Sequence, residues 1–157
     1  MSPDDPVWKQ VGVHLHFNSH IDHIADELLL ALMGTKSRQP FIGVHLRQGD
    51  FVDLGRIGKE VVDAYVAGVK EVQEKLREKA HGTSWRKAMG GKPGKGGKDL
   101  PVLFATDSED PAFVRKLTRL GWIGVNHQEF ATVARFGGWY PGLLDSVILS
   151  RAKGFVG

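Results

Sequence analysis

His45, Arg47 and Asp50 stand at and just beyond the end of the apolar run Phe41-Ile42-Gly43-Val44. Arginine carries a rigid planar fork of donors that suits phosphate. Histidine can hydrogen-bond a base or ribose edge, or transfer a proton. In an extended strand positions 45 and 47 share one side while Leu46 faces the other. Asp50, past the strand, can brace Arg47 or touch a ligand. Polar groups at the carboxyl edge of an open α/β sheet sit where such folds bind ligands. The plainer alternative is an Arg47–Asp50 ion pair closing a sheet edge, with His45 a structural residue; exposed pairs of that kind are worth only ~0–1 kcal/mol.

A second apolar run, Pro101-Val102-Leu103-Phe104-Ala105, ends in Thr106 and Asp107. Two polar strand ends facing one crevice are a usual layout for a nucleotide site. Asp145 lies amid Leu143, Leu144, Val147, Ile148 and Leu149. It either faces solvent on an amphipathic helix or points into a pocket, where a carboxylate would select the ring N–H and exocyclic amine of guanine.

Other chemistries find less support. His14, His16, His20 and His23 lack a carboxylate at a recognised metal-binding spacing. The stretch Gly91 to Asp99 imitates a phosphate-binding P-loop, but Lys98 precedes Asp99 instead of Ser or Thr, and the stretch comes before a strand. No GxGxxG fingerprint occurs, which leaves a nicotinamide enzyme unsupported. Nor is there an Asp-x-Asp pair to hold a divalent metal against a diphosphate, so Arg47 and backbone donors would have to meet that charge. Trp122, Trp139 and Tyr140 read as core or lining groups.

The elements that must position these residues follow from periodicity. Val11 to Phe17 alternates as a short strand, and Asn18 or Ser19 can cap a helix from about Ile21 to Met33. Phe41 to Leu46 is the strongest strand. Lys59 to Ala80 places Val61, Val62, Tyr65, Val66, Val69, Val72 and Leu76 at the helical period. A Gly- and Lys-rich segment, 82–99, reads as a mobile loop. Pro101 to Asp107 is a second buried strand; Ser108 or Asp107 can cap a helix from about Pro111 to Leu120. Trp122 to Val125 is a third strand, Pro141 to Ala152 a helix, and Gly154 to Gly157 begins another strand. The order β-α-β-α-β-α-β with apolar strands predicts an α/β fold: a Rossmann-like, mostly parallel sheet with helices on both faces.

The bulk properties agree with one such unit. At 157 residues and 41% hydrophobic, the chain can form a single core. Residues 1–10 read as a flexible segment and 11–157 as the domain. The net charge is +3, yet Arg86, Lys87, Lys92, Lys95 and Lys98 alone contribute five positive charges, leaving −2 elsewhere. One local tract without interleaved aromatics is not a nucleic-acid face. Cysteine is absent, which removes disulfides and thiolate chemistry. Met1 to Pro6 is too polar for a signal peptide, and no apolar run reaches the ~20 residues of a membrane span, so no membrane contact by this segment is expected.

Taken in order, the segments Phe41 to Asp50, Leu103 to Asp107 and Leu144 to Gly157 resemble GDP-fucose-dependent fucosyltransferases, especially the protein O-fucosyltransferase-like group. The His-x-Arg-x-x-Asp strand end, the Thr-Asp strand end and the Asp-x-x-x-Leu-Ser-x-Ala segment carry the likeness, which spans roughly Asn18 to the end. The resemblance implies the C-terminal, donor-binding lobe of a two-lobed GT-B glycosyltransferase, working without a bound metal or other cofactor and inverting the fucose anomeric centre. It implies that Arg47 grips the β-phosphate and stabilises the leaving GDP, that His45 and Asp145 contact guanine, that Asp50 supports the arginine, and that Asp107 lies near the nucleoside. It further implies a protein or glycan acceptor held by a separate N-terminal lobe, and a place in the lumen of the ER or Golgi.

The chain departs from the family at Gln48, where several relatives carry a second arginine, and by ending at Gly157 before a serine-rich phosphate-binding loop. The expectation is therefore a fragment, truncated at its C-terminal edge, with little or no transferase activity alone. The competing class is a non-catalytic α/β module that binds a nucleotide or a protein.

Overall fold

The computed structural model describes residues 16–37, 39–47, 59–81 and 99–157. The expected strand from Val11 and the Gly/Lys loop fall almost wholly outside these residues, as do the N-terminal segment and Asp50. His16 and Phe17 belong to no strand.

Helix α1 (Ser19–Met33) begins where Asn18 accepts a hydrogen bond from the His20 N–H at 2.8 Å, satisfying one donor that the first turn leaves unpaired. It buries Ile24, Ala25, Leu28 and Leu29. Gly34, at φ 58° and ψ −135°, takes a positive-φ conformation open to glycine and ends it, and a 3-10 turn (Gly34–Lys36) follows. Strand β1 (Ile42–Leu46) leads to helix α2 (Lys59–His81) and strand β2 (Val102–Thr106). The buried Gln73 amide of α2 receives the Leu100 N–H at 3.1 Å and donates to the Leu100 carbonyl at 2.8 Å, fixing the chain as it enters β2.

Helix α3 (Pro111–Arg119) is capped by Asp110, whose carboxylate accepts from the Ala112 N–H at 2.8 Å. The sequence pointed to Ser108 or Asp107 instead. Pro111 supplies the reason: proline is preferred at the first helical position, which makes residue 110 the cap. Ser108 serves the preceding turn, accepting from the Asp110 N–H at 3.3 Å. Strand β3 (Ile123–Gly124), the short helix α4 (Thr132–Phe136), helix α5 (Tyr140–Ser150) and strand β4 (Gly154–Val156) complete the order. Five residues are too few to show a helical period, which is why α4 has no sequence signature.

The four strands are all parallel, in the order β3-β2-β1-β4. This is an α/β fold with a Rossmann-like sheet covered on both faces, as the apolar strand pattern predicts. One face carries α1 and α5, burying Leu28, Phe41, Leu103, Leu144 and Ile148 between them. The other carries α2 and α3 over Ile42, Val44, Leu46, Phe104, Leu117 and Trp122. Gly43 sits under α5: a Cβ there would lie 3.0 Å from both the Ala152 Cβ and the Leu149 Cδ2. The missing side chain is what lets the helix approach the sheet this closely. The chain steps from β1 to β2 to β3 in one direction and then crosses back to set β4 on the far side of β1. That reversal puts the switch point of the sheet at β1 and β4, the place where open α/β sheets hold ligands.

Candidate functional site

A cleft of about 490 Å³ opens at this switch point, on the α5 side of the sheet. Its volume falls within the range typical of small-molecule sites. His45 of β1, Phe155 of β4, and Gly142, Asp145, Ser146 and Leu149 of α5 line it, with Ser150 and Ala152 at the helix end.

Strand alternation explains the position of His45. Ile42, Val44 and Leu46 are buried toward α2, so Gly43 and His45 face α5. His45 is the exposed member of an otherwise buried strand, and it looks onto the helix that carries Asp145. Asp145 lies among buried neighbours, Leu144 on one side and Val147 to Leu149 on the other. It is part-buried and lines the cleft; of the two orientations left open by the sequence, the pocket is the one adopted.

The Asp145 carboxylate does not stand alone. Its Oδ1 is 2.9 Å from Nε2 of His127, whose Nδ1 is 3.0 Å from the Thr132 hydroxyl. The side chains of His127 and Asp145 are 18% and 21% exposed, so the pair is only partly open to water. Thr132 is fully buried. His127 had no signature in the sequence, because it lies in the turn ahead of α4, where no periodicity marks a functional side. The cue that could have found it is chemical: a buried carboxylate needs a donor, and His127 is the histidine nearest Asp145 in the chain. The turn is held by its own bonds, with the Thr132 N–H donating to the His127 carbonyl at 2.9 Å and the Glu129 N–H to Asn126 Oδ1 at 3.0 Å. Ala131 adopts a left-handed backbone, φ 54°, immediately before Thr132.

The remaining expected residues are placed as follows. Arg47 and Asp107 come directly after Leu46 and Thr106, which are register partners, so both lie at the carboxyl edge of the sheet, and both are exposed. Neither belongs to the described lining of the cleft. Asp50 lies outside the described residues. Thr106 of the second strand end does not share the His45 crevice as expected: together with Ser108, Glu109, Arg115 and Asn126 it lines a separate cleft of about 520 Å³ against α3. The reason is register. Thr106 is level with Leu46 and shares its face, opposite to that of His45. Trp122 is in the core, whereas Trp139, expected as a core or lining group, is 91% exposed in the turn before α5.

Among the described residues, no group of three His, Asp or Glu side chains is arranged to hold a metal ion, and no helix is long and apolar enough to cross a membrane. Comparison with protein-family models, curated proteins and solved structures returned no match to this chain. The likeness to fucosyltransferases therefore rests on the three sequence segments themselves.

Proposed function

We propose that this chain is the donor-binding part of a glycosyltransferase that moves fucose from GDP-fucose to a hydroxyl of a protein or glycan, with inversion at the anomeric carbon. The observation that carries the reading is the meeting of His45 and Asp145, exactly one hundred residues apart in sequence, across one cleft at the switch point of a parallel sheet. Both come from segments that resemble the family, and both belong to the base-contacting set that the resemblance implies.

In this reading the guanine lies along α5. The Asp145 carboxylate accepts from the ring N–H and the exocyclic amine, and His45 bonds the base or ribose edge. The diphosphate extends to the carboxyl edge, where Arg47 offers paired donors to the β-phosphate. As the acceptor hydroxyl attacks and the bond to the anomeric carbon breaks, charge grows on the departing GDP. Donors aimed at that charge strengthen as it develops and lower the barrier. The resemblance assigns Asp50 to the support of the arginine and Asp107 to the neighbourhood of the nucleoside. The acceptor and the group that takes its proton belong to a partner lobe, and the lumen of the secretory pathway is the setting the family suggests.

Isothermal titration of GDP, GDP-fucose, ADP and UDP onto the 157-residue chain tests this. GDP and GDP-fucose should bind well ahead of ADP and UDP. Asp145→Ala should cost GDP about ten- to hundredfold, the worth of hydrogen bonds to a charged group, while leaving weak ADP binding unchanged. Equal affinity for all four nucleotides, or an equal loss for each in the variant, would overturn the assignment.

A further inference from the structure

Reading a base with a carboxylate needs more than a carboxylate. A side chain free to rotate about two bonds presents its oxygens over a range of directions, and a ligand must then stop that motion at a cost in affinity. Here the Oδ1 of Asp145 is held at 2.9 Å by Nε2 of His127, and the ring is held in turn by Thr132 Oγ1 at 3.0 Å from Nδ1. A carboxylate only accepts, so Nε2 must carry the hydrogen of that bond. In the neutral ring Nδ1 is then the acceptor, and the Thr132 hydroxyl donates to it. Thr132 is fully buried, so its hydroxyl has this ring nitrogen in place of water. The chain Thr132, His127, Asp145 thus runs in one donor direction, from the core to the cleft.

We propose that His127, braced by Thr132, is a positioning residue that fixes the Asp145 carboxylate to recognise a ligand edge bearing two adjacent N–H donors. A carboxylate has about four acceptor directions, so the bond from His127 leaves it able to take both donors. A base edge with one donor gains half as much, and an edge with an acceptor there is repelled. This rests on the guanine-reading role given to Asp145, and it adds the device that makes the reading selective. His127 touches no nucleotide in this arrangement and acts through Asp145 alone.

The test compares GDP with inosine diphosphate, which lacks only the exocyclic amine, by titration onto the 157-residue chain. Wild type should prefer GDP about tenfold or more, the size of one hydrogen bond to a charged group. His127→Ala should lower that ratio several-fold, by releasing the carboxylate from its fixed direction. His127→Gln restores an amide N–H near the position of Nε2 and should recover most of the preference, which a merely space-filling role for the ring would not produce. Thr132→Val keeps the buried shape, removes the hydroxyl and should give an intermediate ratio; circular dichroism establishes that each variant is folded. If wild type shows no preference for GDP over inosine diphosphate, the guanine reading falls and this assignment with it. If wild type discriminates and both His127→Ala and Thr132→Val discriminate equally well, the guanine reading stands and the role of His127 is overturned.

Discussion

A histidine, an arginine and an aspartate can each be read from the sequence as chemistry, but only packing decides which of them meet. His45 and Asp145 share the cleft, while Arg47 lies two positions beyond His45 at the sheet edge. In the proposed function that offset is useful, because a nucleoside diphosphate is extended, with its base and phosphates bound by different groups. It follows that Arg47 should matter to the phosphates and not to the base. Arg47→Ala should weaken GDP about ten- to hundredfold, as expected for charge-assisted hydrogen bonds, and leave guanosine binding unchanged. Titration of both ligands onto both proteins measures this, and an equal loss for guanosine would show that Arg47 holds the structure of the edge instead. His127 marks the limit of reading at this scale. Its role depends on a contact across 18 positions with Asp145 and on a buried hydroxyl five positions away, and neither spacing is periodic.

Elements carry the site by their approach as much as by their side chains. The cleft exists in its present form because α5 comes down onto β1 at Gly43, bringing Leu149 and Ala152 to its wall. Gly43→Ala would ordinarily add about 0.4–1 kcal/mol by restricting the unfolded chain. Overpacking against two contacts at 3.0 Å should cost about 1–3 kcal/mol and outweigh that gain. The net loss lies between about 0 and 2.6 kcal/mol, and its mid-value of about 1.3 kcal/mol corresponds to a fall in Tm of roughly 3–5 °C for a chain of this size. Calorimetry should show that fall together with weaker GDP binding, since the displaced residues line the cleft; an unchanged or raised Tm would mean the helix yields freely. Much at this scale was legible. The apolar runs gave β1 and β2 to within a residue or so at each end, and of the two caps offered, Asn18 is the one used, with α1 starting at Ser19 and not at about Ile21. What escaped was set by register and by neighbours. Asp110 took the cap because proline follows it, and Thr106 turned away from His45 because the parallel pairing placed it level with Leu46.

At the scale of the molecule the two hydrophobic layers are not separable. β2 feeds both, with Leu103 facing α1 and α5 while Val102 and Phe104 face α2 and α3; β1 turns Ile42 and Val44 to α2 and α3 and meets α5 at Gly43. Within the first layer, Arg151, just after α5, ties α5 to α1 through Asp22 at 2.8 Å and Asp26 at 2.7 Å. Unfolding either layer exposes the strands shared with the other, so the chain should open as one cooperative unit. The cleft draws on β1, β4 and α5, and a ligand there stabilises whatever unit must open to release it. At a GDP concentration of 100 times Kd the gain is about 2.7 kcal/mol, or about a hundredfold in the opening equilibrium. Native-state hydrogen exchange reads this residue by residue. The amide of Ile148, in the layer beside the cleft, and that of Leu117, fully buried on the opposite face, should gain the same protection on adding GDP. Protection gained by Ile148 and not by Leu117 would mean that the layers open separately and that the shared strands do not couple them. Equal gains at both would make the whole sheet the scaffold of the site, with the far layer contributing to affinity through stability and not through contact.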